Sequence, residues 1–523
     1  MSNKKYILIL SIINIFRSIF LVSQALASKL LIDAAINNTR VLFYALIFGV
    51  LIICNIVLSL LFLFIRNKFS LKIEVKMKED IYNELLKNDV NEAKKFHSGE
   101  ITNVYLNDIQ NIKNGLCQTI PNVFLYASRF LLSLFALAYL DYKILFILLL
   151  FGLIVVISAR IYSKILKKYH KMALENDGKL NAYMQESFEN IKIVKALNAE
   201  KNLSSSLHDR IKENYSIKDK RNKLSIVGHG GLYVLMEICA AFVMIYGAFG
   251  IVQGFLTYGS LVGLLQVISY FETPLSMFSS LITNYNAYKV SENRIQELYN
   301  IKNECNQIEI NDFDEIIFEH VDFSYDQNVI LKDFSLSIKK YDTILLKGHS
   351  GCGKTTLFNL LLGFISPNKG TIKVKYNNKF YDIKECRNLF SYVAQENILF
   401  SGTIEENAKL FIENYQEDKF INSLKIACIY DEINQKPNKL KTILNERGNG
   451  LSLGQIQRIL LAIALEKNNQ ILLLDEFTSA LDKELEKNIV NNVSCINKTK
   501  IIITHRDIDL PNAKTIFLGE EYD

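Results

Sequence analysis

Six long apolar stretches constrain this chain more than any other feature, lying near 6–27, 41–65, 122–141, 143–166, 224–252 and 257–284. A bilayer core of about 30 Å is crossed by a helix of about 20 residues, so each stretch is long enough to span. In hydrocarbon every backbone N–H and C=O must be satisfied within the segment, which makes these stretches helices. Composition agrees: half of the residues are hydrophobic and only 22% are charged. The first stretch has features of a cleavable signal, with Lys4 and Lys5 ahead of it and Ala25-Leu26-Ala27 near its end. It is too long for a signal core, is interrupted by Arg17, and is followed by five more spans, so it is read as retained.

The connections are unequal. Residues 66–121 and 167–223 are long and rich in Lys, and the others are short. Arg66, Lys68 and Lys72 follow the second span, and Lys164, Lys167 and Lys168 follow the fourth. Under the positive-inside rule these ends are cytoplasmic, which puts both termini there too. Ile73, Met77, Ile81 and Leu85 recur every fourth residue, predicting that the second span continues as a helix beyond the lipid. A separate small cytoplasmic domain is the alternative. The net charge of +6 is modest and is explained by loop lysines, so no nucleic-acid partner is expected. Eight scattered cysteines with no C-x-x-C pair read as reduced thiols.

Near residue 300 the pattern changes. Short β-rich runs alternate with helical ones to the end, predicting a membrane domain over 1–300 and an α/β domain over 301–523. Within the latter, an apolar strand (Ile344–Leu346) runs into Gly348, His349, Ser350, Gly351, Cys352, Gly353, Lys354, Thr355 and Thr356, then an apolar helix. This is a phosphate-binding loop in its strand–loop–helix setting. Its glycines let backbone N–H groups converge on phosphate oxygens at a helix N-terminus. Lys354 is expected to reach the β- and γ-phosphates, and the Thr355 hydroxyl to face Mg²⁺. Downstream, Ile471–Leu474 reads as a buried strand ending in Asp475 and Glu476. One carboxylate for the metal and one to orient or deprotonate water is what ATP hydrolysis requires there.

Between these two motifs, LSLGQIQR (451–458) resembles the signature sequence of ATP-binding-cassette (ABC) proteins. Gln395 in YVAQENILFSGTIEEN resembles the family's Q-loop, and Ser479-Ala480-Leu481-Asp482 its D-loop. His505 in IIITHR is similar to the switch histidine, Tyr325 to the aromatic that stacks on adenine, and Glu446 to an exporter-specific acid. Gly99, Asp108, the run QESFENIKIVKALNAE and the stretch up to Pro274 resemble the membrane half of type I exporters. The implied fold is a helical six-span membrane domain followed by an α/β P-loop nucleotide-binding domain.

The resemblance implies catalytic roles for Glu476, His505 and Gln395, and a Mg²⁺ set of Thr355, Gln395 and Asp475. It implies ATP held by the phosphate loop of one chain and by Ser452, Gly454 and Gln455 of a second, with Asp482 at the interface. Two half-transporters would therefore pair, with a homodimer favoured and a heterodimer left open by Leu453, where the family has glycine. Cys352 fills a variable slot of the loop as a small side chain. The implied activity is ATP-driven export of an amphipathic peptide, lipid or drug across a bacterial plasma membrane. An importer of the same fold and a membrane-bound ATPase that moves nothing are the alternatives. With no peptidase extension ahead of the first span, an exported peptide would be processed by another protein. Arg17, Arg129, Glu237 and Glu272 fall inside spans, where a charge is costly, predicting either mutual Arg–Glu pairing or a polar cavity.

Overall fold

The computed structural model describes residues 2–94, 98–326, 328–349, 351–395, 399–445, 448, 450–467, 469–506, 510 and 513–519. Within helices, the side chains at 2–3, 93–94, 98, 155–156, 159, 161–164, 174, 229, 232 and 279 fall outside that description. The chain divides into two compact units, Met1–Leu86 with His97–Asn300, and Lys87–Phe96 with Ile301–Asp523.

The first unit is helical. It comprises α1 (Ser2–Ile36) and α2 (Val41–Lys87), then a run of α4 (Ser98–Asn103), α5 (Ile109–Asn114) and α6 (Ile120–Leu140), with α3 (Val90–Lys94) lying between in the second unit. There follow α7 (Tyr142–Glu189), α8 (Ile191–Ala196), α9 (Glu200–Val252) and α10 (Tyr258–Tyr299). At 1.5 Å per residue the 47 residues of α2 and the 53 of α9 reach about 70 and 80 Å, far beyond a bilayer core. The long connections are thus largely extensions of the spanning helices. Leu42, Leu46 and Phe64 of α2 are exposed, as lipid-facing side chains are. A buried apolar core of Val22, Ala25, Leu137, Ile144, Val243, Leu264 and Phe271 joins α1, α6, α7, α9 and α10.

Among the described residues five helices are long and apolar enough to cross a membrane, against six expected. The difference lies in α7, where only Tyr142–Ile154 reads as apolar among the described residues, although the helix itself continues to Glu189. Asp141 breaks the chain between α6 and α7 with an extended backbone, and its side chain accepts the Lys143 N–H to cap α7. Close packing of α1 on α10 requires Gly259, where a Cβ would lie 2.3 Å from the Lys29 carbonyl oxygen. Two π-helical turns, Val104–Asp108 and Gly115–Thr119, interrupt the run into α6. Asp108, 2% exposed, accepts a 2.6 Å bond from Ser291 Oγ of α10.

The intramembrane charges do not pair as expected. Arg17 donates to Ser59 Oγ at 3.1 Å and Asn14 Oδ1 at 3.0 Å, and lies over the Phe62 ring. Polar atoms from α1 and α2 therefore satisfy it. Arg129 has a buried Nε, and Glu272 a buried Oε1, with no hydrogen-bond partner, while Glu237 takes a bond from Tyr233 one turn away. The arginines sit on α1 and α6 and the acids on α9 and α10. Among the described residues no ion pair joins the two sets.

The second unit contains two main sheets. β1 (Glu315–Tyr325), β2 (Asn328–Lys339), β4 (Lys369–Tyr376) and β5 (Lys379–Asp382) form an antiparallel sheet ordered β2-β1-β4-β5. The other comprises β3 (Thr343–Lys347), β6 (Phe390–Val393), β9 (Ile471–Asp475), β10 (Thr499–Ile503) and β11 (Lys514–Phe517), all parallel, ordered β11-β3-β10-β9-β6. Every residue of β9 and β10 is buried, as strands covered on both faces must be. A short pair, β7 (Gly402–Thr403) and β8 (Ile443–Leu444), accompanies the helices α11 (Lys354–Leu361), α12 (Ile404–Phe411), α13 (Glu417–Ile426), α14 (Tyr430–Asn434), α15 (Leu453–Glu466) and α16 (Lys483–Ser494). Two apolar clusters result: one between the sheets and α11, and one uniting the other parallel-sheet face with α12, α13, α15 and α16.

Candidate functional site

The parallel sheet lines up the chemistry. Register pairs Ile503 with both Leu346 and Asp475, and Val393 with Leu474. The segments leaving β3, β10, β9 and β6 therefore emerge side by side at the carboxyl edge, where open α/β sheets bind ligands. Those segments carry the phosphate loop, His505, Asp475-Glu476 and Gln395.

After β3 the loop turns on glycines with positive φ, and at Gly348 a Cβ would meet the Leu518 oxygen at 2.5 Å and Cys352 Sγ at 2.6 Å. Only glycine fits there. Lys354, 7% exposed, starts α11 and donates to the Gly348 and His349 carbonyls, each at 2.9 Å. Cys352 is buried beneath the loop, 3.8 Å from the Lys354 ammonium. Thr355 is exposed at the start of α11 and Thr356 is buried. Ser350 and Glu446 lie outside the described residues.

Glu476 is held from two sides. Gln395 Nε2 donates to its Oε2 at 3.0 Å, and His505 Nε2 lies 3.4 Å from its Oε1. Its backbone has φ of 47°, unusual for a residue with a side chain, and its N–H bonds the Ile503 carbonyl at 3.0 Å. Asp475 beside it is 2% exposed, and its Oδ2 has no hydrogen-bond partner. Burial first, and then the Glu476 charge, push its carboxyl up to about 6, against the pull of Lys354 and a bond from Tyr392. A buried carboxylate with an orphaned oxygen calls for a cation. With Thr355 exposed at the head of α11 and Gln395 at the end of β6, the donor set is all oxygen and fits Mg²⁺.

The signature lies at the start of α15. Ser452 Oγ accepts from Gln455 N, and Gln455 Oε1 accepts from Ser452 N, a reciprocal cap that fixes the helix N-terminus. At Gly454 a Cβ would lie 3.0 Å from Leu481 Cδ2 and 3.1 Å from the Ala480 oxygen, whereas Leu453 is 56% exposed. Packing in this chain restricts position 454 and leaves 453 free. Asp482 caps α16, accepting from Leu485 N at 2.8 Å. Tyr325 ends β1, half-exposed on the antiparallel sheet, and packs edge-on against Phe323.

Two residues escaped the sequence reading. Gln457 Nε2 bonds Ser479 Oγ at 3.0 Å, and Arg506 bonds the Ser479 and Leu481 carbonyls and Glu486. Together they fix the 479–482 turn against α15. The spacing Gln455–Gln457 and the Arg after His505 were visible, but nothing local shows what they hold.

A phosphate-binding loop at the head of a parallel sheet, opposite a carboxylate pair, defines a P-loop nucleotide-binding domain, here in one chain with long apolar helices. The chain belongs to the ABC transporter family. Residues 6–275, more than half of its length, match the ABC transporter transmembrane region, and residues 331–479 match the family described as ABC transporter. It is 28% identical over 494 residues to ABC transporter B family member 1 of Dictyostelium discoideum, which covers 92% of this chain and 53% of that protein. The chain thus spans about half the length of that relative. It is also 28% identical over 525 residues to the toxin RTX-III translocation ATP-binding protein of Actinobacillus pleuropneumoniae, covering 98% of this chain and 73% of that one. In fold it resembles a bacterial Atm1-family ABC exporter with ATP bound, at a TM-score of 0.82 and 21% identity, over 99% of this chain and 94% of that one.

Proposed function

We propose that this chain is one half of an ATP-hydrolysing exporter that pairs with a second copy of itself in a bacterial plasma membrane, both termini cytoplasmic. The observation that carries the reading is the row of phosphate loop, His505, Asp475-Glu476 and Gln395 along one sheet edge. It stands in a chain whose other unit belongs to the transmembrane family. The relative named for toxin translocation supports export over import.

In this mechanism the loop amides and Lys354 bind the nucleotide phosphates, and Tyr325 stacks on the base. Asp475, Thr355 and Gln395 would hold Mg²⁺, which would supply charge neutralisation on the phosphates. Glu476, steadied by Gln395 and His505, orients the attacking water and takes its proton. Ser452 and Gly454 present a helix N-terminus to the nucleotide of the second copy, so ATP closes the pair and hydrolysis releases it. The substrate is amphipathic, and Glu272 and Arg129, whose Oε1 and Nε lack hydrogen-bond partners, supply its polar contacts.

The test is the purified chain in liposomes. Magnesium-dependent ATP hydrolysis is expected, with Glu476→Gln retaining nucleotide but losing turnover by about 10² or more. Inside-out vesicles should accumulate substrate only with ATP. A wild-type chain that neither binds nor splits ATP would refute the proposal, and hydrolysis without accumulation would leave only the non-transporting ATPase.

A further inference from the structure

One carboxylate on a neighbouring helix holds two residues of the signature segment. Glu432, on α14, accepts from Gln455 Nε2 on its Oε2 at 2.7 Å and pairs its Oε1 with Arg458 Nη1 at 2.7 Å. Arg458 is 5% exposed, and its other bonds run to the Gly454 carbonyl at 3.2 Å and the Cys428 carbonyl at 2.6 Å. Gln455 meanwhile spends its carbonyl on Ser452 N, which leaves its amide N–H group for Glu432. Both carboxylate oxygens are thus committed, each to a residue of the signature segment.

We propose that Glu432 is the positioning residue of the signature turn, fixing Ser452 and Gly454 in the orientation that engages a nucleotide phosphate. The inference rests on the ATPase reading above. First, Gln455 caps Ser452 through its amide oxygen, and Glu432 holds the other end of the same amide, which fixes which way the amide faces. Secondly, the buried Arg458 guanidinium lies one turn inside the positive end of α15. Without an anion it would be uncompensated and would drag on the Gly454 carbonyl, the group that sets the pitch of the first turn. Glu432 removes both freedoms. Its carboxylate is spent on Gln455 and Arg458, and the site it aligns serves the phosphate loop of the second copy.

This assigns different effects to two assays. Nucleotide binding in EDTA reads the chain's own phosphate loop, while steady-state ATPase reads the composite site. In the full-length protein, Glu432→Gln should keep nucleotide affinity within about twofold and lower kcat at least about tenfold. It should also raise the KM for ATP, and Glu432→Asp should recover part of the rate by restoring the charge. Lys354→Ala, as a comparison, should lose affinity itself. Wild-type kcat in Glu432→Gln overturns the proposal. So does a loss of rate that follows thermal stability equally in the Gln and Asp variants, because that is the mark of a merely structural contact. Failure of the ATPase reading is separately visible as an inactive wild-type chain, which removes both.

Discussion

Asp475 concentrates two opposing demands in one side chain. Its ordinary carboxyl value of 3.8 rises to about 6 through burial and the Glu476 charge. A raised acid pKa favours the folded state while the group is protonated, and that contribution is lost as pH climbs through the folded value. Without metal, Asp475→Asn should therefore be near neutral at pH 4. At pH 8 it should raise stability by up to about 3 kcal/mol, at about 1.4 kcal/mol per unit. Thermal melts in EDTA across that range test it. Magnesium with nucleotide should stabilise the wild type and not the variant, and a flat difference with pH would contradict the assignment. Positions 453 and 454 make a second residue-scale contrast. Gly454→Ala forces a Cβ against the Ala480 carbonyl and should cost about 1–3 kcal/mol, read as a lower Tm. Leu453→Gly meets open solvent and should move Tm little, while, in the proposed pairing, changing the concentration of ATP at which two copies associate.

At the scale of elements, the segment preceding α3 is bound to the nucleotide unit as a short antiparallel ladder. Asp89 N bonds the Lys302 carbonyl at 3.0 Å, and Glu304 N bonds the Lys87 carbonyl at 2.9 Å, flanking the pair Asn88–Asn303. Arg387 supports the same place: it pairs with Glu304 at 2.7 Å, bonds the Leu362 carbonyl and lies over Phe364, whose carbonyl accepts from Asn91. Asn88 is 4% exposed, yet neither of its amide atoms has a hydrogen-bond partner. A buried unsatisfied amide costs about 1–3 kcal/mol, so Asn88→Val should raise Tm. In a non-hydrogen-bonded antiparallel pair the Cα atoms are about 4.5 Å apart, within disulfide range. Asn88→Cys with Asn303→Cys should oxidise to a mapped disulfide in the folded protein. No crosslink under mild oxidant would mean that the ladder does not persist in solution.

For the whole molecule, the distribution of charge in the helical unit bears on the proposed amphipathic substrate. Arg17 bonds Ser59 and Asn14 and lies over Phe62, whereas Arg129 and Glu272 keep buried atoms without partners. Glu272→Gln should reduce stimulation of ATPase by a cationic amphipathic substrate several-fold, more than by a neutral one. Equal stimulation by both, with a lower Tm, would return Glu272 to a structural role. Much of this architecture was legible in the sequence, because spanning length, helical period and a glycine-rich loop are local properties of contiguous residues. The apolar stretches, the α/β change near residue 300 and the loop from Gly348 to Thr356 needed no knowledge of distant partners. The tertiary structure alone decided which segments meet. Asp108 reaches Ser291, Glu476 sits between Gln395 and His505, Glu432 bridges Gln455 and Arg458, and residues 87–94 belong with the nucleotide unit. It also set aside the Arg–Glu pairing, since residue type shows that a buried charge needs a partner but not which helix supplies it. Sequence specifies the chemistry each residue can do, and close packing selects the neighbour with which it does it.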